Sequence, residues 1–450
     1  MIRVRIKNLD AEVRKKYLLA EAVTRLTPAI VRGIAEQIAV GIIRGQLRQY
    51  GVDADVTIEP DPINPEKKPM RLFRPLLVTV LVLIAALVGF IKVRYGSGEP
   101  GFPDRTGTPL LAESVLEVVA DLPTPAGNIA VAPDGRVFVS LHPEAKPTLK
   151  IVELIGGAMK PYPNIAFQTG EGEPRYFRDV LSLRIDRQNR LWTLDNGFHG
   201  MHPGRLLAFD LSSGDVVHEF VFPRAIAGVG SHLNDFQVSA DGNTIYIAEA
   251  SIFGLTPALI VYDVTKKSAR RLLQENPSVM PEEFVPVVQG VVMKPFGLFS
   301  IRPGVDSIAL SRDGEWLYFA AVNAAHLYRV RITDLRNEVL SAAELESKVE
   351  TFADKTMSDG ISTDNSGNVI LSDPEHSAVV LLKPDRTLQT LLKTDRLRWP
   401  DGFSFGPDGW LYVTCSSLHH VIGKPPSSVV EHAPYQVFRF KPGTTATPGH

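Results

Sequence analysis

Apolar residues in this chain recur at two periods. Along most of its length they alternate, as at Ile308, Leu310 and then Leu317, Phe319. Alternation at period two is the mark of a half-buried strand. The alternating segments come in pairs around a recurring phrase: Asn or Asp, a few small or apolar residues, Asp-Gly or a variant, then a hydrophobic–aromatic pair. Copies begin at Asn128, Asn234, Asp306, Asp359 and Asp401, and a degraded copy begins at Leu181. Asp-Gly suits the reverse turn between two strands, because Gly accepts positive φ and Asp bonds the local backbone. Further strands follow each pair, such as Leu259–Asp263 and Leu327–Arg331. A four-stranded unit cannot bury both faces alone, whereas several arranged radially cover one another and leave short edges. The pattern therefore predicts an all-β, six-bladed β-propeller over residues 110–445, with about 55 residues per blade. A β-sandwich or a pair of barrels is the competing architecture, but neither needs the phrase to recur.

Elsewhere the pattern changes. Residues 75–92 open with an uncharged apolar run, Pro75–Ile91. At 1.5 Å rise per residue such a run just reaches across a bilayer core. Lys67, Lys68, Arg71 and Arg74 precede it, and Lys92 and Arg94 follow it. That excess predicts one transmembrane helix with a cytoplasmic N-terminus and the propeller periplasmic or extracellular. A buried core helix is the alternative. Residues 1–60 read as a small α+β N-terminal unit: a strand in Met1–Leu9, helical composition over Ala11–Gln49, and a strand in Val52–Glu59. Its helices offer a surface for a protein partner. Residues 61–74 are a basic, Pro-containing linker and residues 93–109 an external linker rich in Gly and Pro.

Composition narrows the function classes. The net charge of −2 over 450 residues leaves no nucleic-acid footprint. A single cysteine, Cys415, excludes an intramolecular disulfide and sits in strand-like sequence, where a buried role is expected.

Chemistry is expected where the phrase begins. The first strand of a propeller blade lines the central channel, so Asn128, Asn234, Asp306, Asp359 and Asp401 should converge at one mouth. Leu181 is the equivalent position in the second unit, with Asp179 two residues earlier. Asn and Asp also cap loops, which is the plainer reading of any one position. Clustered carboxylates, however, repel and must be offset by a cation, by water or by protonation. Asp359, Asp401 and Asp306 are the candidate general bases. Asn234, Asp235, His199, His232 and Trp192 are the candidate ligand-binding residues.

Several segments resemble the major royal jelly/Yellow family. They are Leu191–Gly197 followed by Leu206–Leu211, Ile245–Ser251 with Leu259–Asp263, Gly304–Ser311 with Leu317-Tyr318, and Leu397–Gly402. The resemblance implies a six-bladed propeller, and chemistry ranging from dopachrome conversion to amine binding or a structural role. A more distant likeness is to the gluconolactonase and senescence-marker propellers, which implies a channel cation and lactone hydrolysis. On that likeness Asn128 replaces a Glu ligand, Asn234 matches an Asn and Asp359 an Asp, which makes Asn128, Asn234 and Asp359 the candidate metal ligands; their oxygen donors suit Ca2+ or another divalent cation. Two functions follow as expectations: an enzyme acting on a small cyclic molecule at the channel mouth, or a non-catalytic ligand-binding or interaction propeller.

Overall fold

The structure is a computed structural model and describes residues 2–6, 54–58, 73–170 and 175–449, with side chains from Thr79 onward. Six antiparallel four-stranded sheets form the blades of a propeller. Their innermost strands are Ala126–Val131, Val180–Ile185, Leu233–Val238, Val305–Leu310, Ile361–Thr363 and Pro400–Phe405. Each packs beside the next, and the sixth returns to the first. The strands after each Asp-Gly turn are the second strands of their blades, as the alternation requires. Leu259 and Leu327 fall in third strands, Ala258–Asp263 and His326–Arg331.

One strand has no counterpart in the sequence pattern. Glu117–Leu122 precedes the first blade in sequence but forms the outer edge of the last, pairing with Tyr435–Phe440 from Leu122↔Tyr435 to Glu117↔Arg439. The two ends of the propeller chain thus share a sheet. Side chains between adjacent blades make the core: Leu122, Ile129, Val139 and Val437 are wholly or almost wholly buried together. Trp192, Phe236, Ile247 and Tyr262 fill the equivalent space between the second and third blades.

Chain contacts divide the protein into two units, Met1–Leu83 and Ile84–His450. In the first, Ile2–Ile6 pairs antiparallel with Ala54–Ile58, so the two strands expected there meet. The helices expected over Ala11–Gln49 and the linker at residues 61–72 lie outside the described residues. The apolar run falls on a helix, Phe73–Tyr95. The side chains before Thr79 are not described, and among the described residues no helix is long and apolar enough to cross a membrane.

The closing strand gives a stability test. Leu122 is 1% exposed and Val118 in the same strand is 42% exposed. Leu122→Ala should cost about 2–5 kcal/mol and Val118→Ala well under half of that, read from urea unfolding midpoints. Equal, small losses would show that this strand does not close the ring.

Candidate functional site

The phrase converges because of a defect repeated in the innermost strands. Register slips between Ala126 and Ile129, Val180 and Ser182, Leu233 and Phe236, Val305 and Ser307, and Pro400 and Phe403. Each slip is a bulge at the start of the phrase, and a bulge re-aims the side chain it carries. Hydroxyls secure these irregular residues. Ser140 Oγ accepts from the Asn128 N–H at 2.8 Å and donates to the Leu181 carbonyl of the next blade. Thr414 does the same between the Gly402 N–H and the Gly127 carbonyl, at 2.9 and 2.6 Å. Ser372 accepts from the Asp359 N–H at 3.0 Å, while Ser307 donates to the Asp359 carbonyl across the blade boundary. The bulged residues are therefore tied to their own blade and to a neighbour.

Asn128, Leu181, Asn234, Asp235, Asp306, Asp359 and Asp401 line one cavity of about 310 Å³ at this end of the channel. His199, His232, His142 and Glu144 line it higher up, and Ile252, Phe253, Phe296 and Phe299 form an apolar wall. Of the residues expected there, Trp192 alone lies elsewhere. It is fully buried between blades, where its indole N–H donates to Asp186 Oδ2 at 2.6 Å. Asp179 sits with Asp195 and does not line the cavity. His419 and His420 form a separate ring stack with His432. Cys415 is buried, and burial pushes its thiol up to about 12.

The acidic floor is offset in two ways. Arg184, 3% exposed, lies 3.4 Å from Asp235 and donates to the Asn128 amide oxygen. The Asn128 amide nitrogen donates to Asp235 at 2.6 Å. Across the cavity, protonation takes over. Asn234 donates to Asp306, which lies close to the Asp359 and Asp401 carboxyls. Burial, then the nearby Asp359 charge, holds the Asp306 carboxyl well above the usual carboxylate range. Asp401 is raised in the same way by burial and by Asp359. Burial pushes Asp359 up to about 6, although the Trp399 indole N–H donates to its Oδ2 at 2.5 Å and opposes the rise. Behind them Lys355 is wholly buried, with its ammonium on the Val322 and Thr356 carbonyls, and burial brings it down to about 7.

Higher in the cavity the imidazoles of His199 and His232 stack 4.8 Å apart with their Nδ1 atoms 3.1 Å apart. His199 Nε2 is 3.1 Å from Glu144 Oε1. The His199 hydrogen bond holds Glu144 down at about 2, and burial lowers His232 to about 3. An ionised Glu144, His199 and a neutral His232 thus form a three-member hydrogen-bonded chain in the cavity.

Asn128, Asn234 and Asp359 all face the cavity, but the Asn128 amide oxygen is occupied by Arg184 and by the Ile129 N–H. In this arrangement the set does not fit a hard divalent cation, because a guanidinium already supplies the positive charge. Among the described residues no group of three or more His, Cys, Asp or Glu side chains is arranged to hold a metal ion.

Residues 179–400 match the family model of the major royal jelly proteins. The propeller is similar to that family. Major royal jelly protein 9 of Apis mellifera is 25% identical over 199 residues, 42% of this chain and 45% of that protein. Major royal jelly protein 1 of the same organism is 27% identical over 195 residues, 40% of this chain and 43% of that protein. The chain thus spans less than half the length of the curated relatives it matches. Among solved structures, a calcium-binding regucalcin from Agrobacterium tumefaciens superposes with a TM-score of 0.48 at 17% identity, covering 78% of this chain and 98% of that one. The royal-jelly-like span runs from the second blade to the start of the sixth, so the blade that carries Asn128 lies before it.

Arg184, Glu144 and Lys355 lie outside the set expected from the sequence. Arg184 carries a signal: it is a cation in the degraded copy of the phrase, three residues after Leu181, inside a strand whose other residues are all uncharged. Glu144 and Lys355 follow strands in connecting segments, and nothing in their spacing points to the channel.

The raised Asp359 gives a pH test. With an ordinary value of 3.8 unfolded and about 6 folded, the carboxyl binds protons preferentially in the folded protein between those values. Its contribution to stability is fully present below pH 3.8 and is lost as pH rises through about 6. Asp359→Asn should therefore stabilise the protein at pH 7.5, by up to about 3 kcal/mol at 1.4 kcal/mol per unit. That gain should shrink toward pH 4, followed by denaturant unfolding. A pH-independent effect would mean that Asp359 is not held above its ordinary value.

Proposed function

We propose that this chain is a membrane-anchored, extracytoplasmic enzyme that moves a proton on a small cyclic molecule held at the channel mouth. The observation that carries this reading is the cluster of buried carboxyls lining one cavity, where Asp306 is held well above the ordinary carboxylate range beside an Asp359 pushed up to about 6. One carboxyl positioned to give a proton and another to take one is the minimum for a tautomerisation, and both are raised above the ordinary carboxylate range. Asp359 is the base, Asp306 the acid, and Asp401 keeps the pair from ionising together. Asn234 and Asp235 orient polar groups of the ligand, and the Phe253 and Phe299 wall receives its apolar side. Dopachrome-like tautomerisation fits this arrangement better than lactone hydrolysis assisted by calcium, which would require Asn128 to release Arg184.

The second reading is binding without turnover. An acidic floor under an aromatic wall suits a small organic ammonium, so amines belong in the same screen.

Anchoring is supported by the uncharged run Pro75–Ile91 and by the surface of its described part. Leu81, Leu83, Ile84, Leu87 and Phe90 are more than half exposed on what is an apolar helix all round. Such a helix is unstable in water without a covering phase.

Two measurements decide. In a panel of dopachrome, lactones and amines, Asp359→Asn and Asp306→Asn should each lower kcat/KM on the turned-over substrate by about 10²–10⁴, the usual contribution of acid–base catalysis. Parent activity should fall as pH drops below about 6, where Asp359 becomes protonated. Ligand binding with no turnover by the parent would leave the binding reading. Alkaline extraction of membranes should leave the chain in the pellet, and its release into the soluble fraction would exclude the anchor.

A further inference from the structure

The cavity wall and the end of the apolar helix are joined. Tyr95, the last helical residue, stacks on Phe299 with ring centroids 5.3 Å apart, and its hydroxyl donates to the Phe253 carbonyl at 3.0 Å. The Ser300 N–H donates to the Tyr95 carbonyl at 2.8 Å. Phe299 in turn lies 5.7 Å from Phe253, whose ring meets His199 edge-on at 4.8 Å. A continuous aromatic path thus runs from the helix into the cavity. Its outer surface is bare: Phe253 is 45% exposed, and Phe296, with φ of 55°, is 86% exposed. A bulky side chain at positive φ carries backbone strain, and here it holds a ring out into the surroundings. Ile84, Leu87 and Phe90 extend the apolar surface along the helix, and Lys92 and Arg94 stand in its last turn, beside Tyr95. Apolar residues ending in Lys, Arg and Tyr are what the boundary between hydrocarbon and headgroups selects.

We propose that the rim of the channel mouth, centred on Phe296 and Phe253, is a lipid-docking surface that opens the cavity to the bilayer, so that its ligand is an amphiphile entering from the membrane. The proposal rests on the anchored reading of the chain but adds to it. An anchor alone would let the propeller face any direction, whereas the Tyr95 contacts turn this mouth toward the helix. The cavity suits such a ligand: its Phe253–Phe299 wall meets the apolar body and its Asp306–Asp359 floor the polar head. The far end of the channel, where Arg312 stands exposed in an Asp-Gly turn, follows the opposite end of the strand Val305–Leu310 that carries Asp306.

The test uses the full chain reconstituted into phosphatidylcholine/phosphatidylglycerol vesicles. Phe296→Cys and Arg312→Cys are each labelled with a polarity-sensitive fluorophore, which Cys415, being buried, does not compete for. The label at position 296 should be blue-shifted and at least twofold more quenched by doxyl-labelled lipid than the label at 312. A chain that resists alkaline extraction while both labels are unquenched would overturn the docking surface and leave the anchor standing. If the chain is extracted, the anchor fails and the same labels are read with vesicles added from outside. Selective quenching at 296 would then still support the surface, and its absence would overturn it.

Discussion

The ring must close, and everything else in the propeller depends on how it does so. Each blade leaves one face for its neighbour to cover, so five covered interfaces and one open one would expose an apolar seam. Pairing Glu117–Leu122 with Tyr435–Phe440 joins the first and last parts of the propeller in one sheet. The hydrogen bonds are ordinary, but they link residues more than three hundred apart. They hold the sixth innermost strand beside the first, and thereby bring Asp401 to the same cavity as Asn128.

Within that closed ring, charge is the second constraint. Acidic residues brought to one mouth by repetition cannot all remain ionised in a buried space. The protein divides the problem. Asp235 pairs with Arg184, and Asp306, Asp359 and Asp401 are all lifted from the ordinary carboxylate range. The same division that makes the floor tolerable leaves neighbouring carboxyls whose affinity for protons is raised. It also occupies the Asn128 oxygen that a divalent cation would need. Hydroxyls from Ser140, Thr414, Ser307 and Ser372 bond the backbone at the start of the phrase, within a blade and across to its neighbour.

Much of this is legible in the sequence. Period-two alternation and the Asp-Gly turns place the first two strands of every blade, and the recurrence of Asn or Asp marks the channel mouth. Leu181, the one apolar copy, lines the cavity with the others. Other features are hidden for identifiable reasons. The closing strand has no phrase of its own, because it is an outer strand whose identity depends only on its distant partner. Trp192 resembles a ligand contact because it sits beside the loop of His199, but strand alternation turns it between blades. Glu144 reaches the site from a short connecting turn, and such positions carry no period.

The sequence by itself determined the repeating unit and the number of its copies, because alternation and turn chemistry are local and act within a few residues. It also determined that acidic side chains would meet, since equal positions in a radial array must converge. Tertiary structure alone decided what those side chains became. Which carboxyl keeps its proton, which pairs with Arg184 and which histidine faces Glu144 depend on burial and on distances between different blades. Those quantities exist only after the ring has closed, because a side chain's charge state answers to all its neighbours in space and not to its neighbours in the chain.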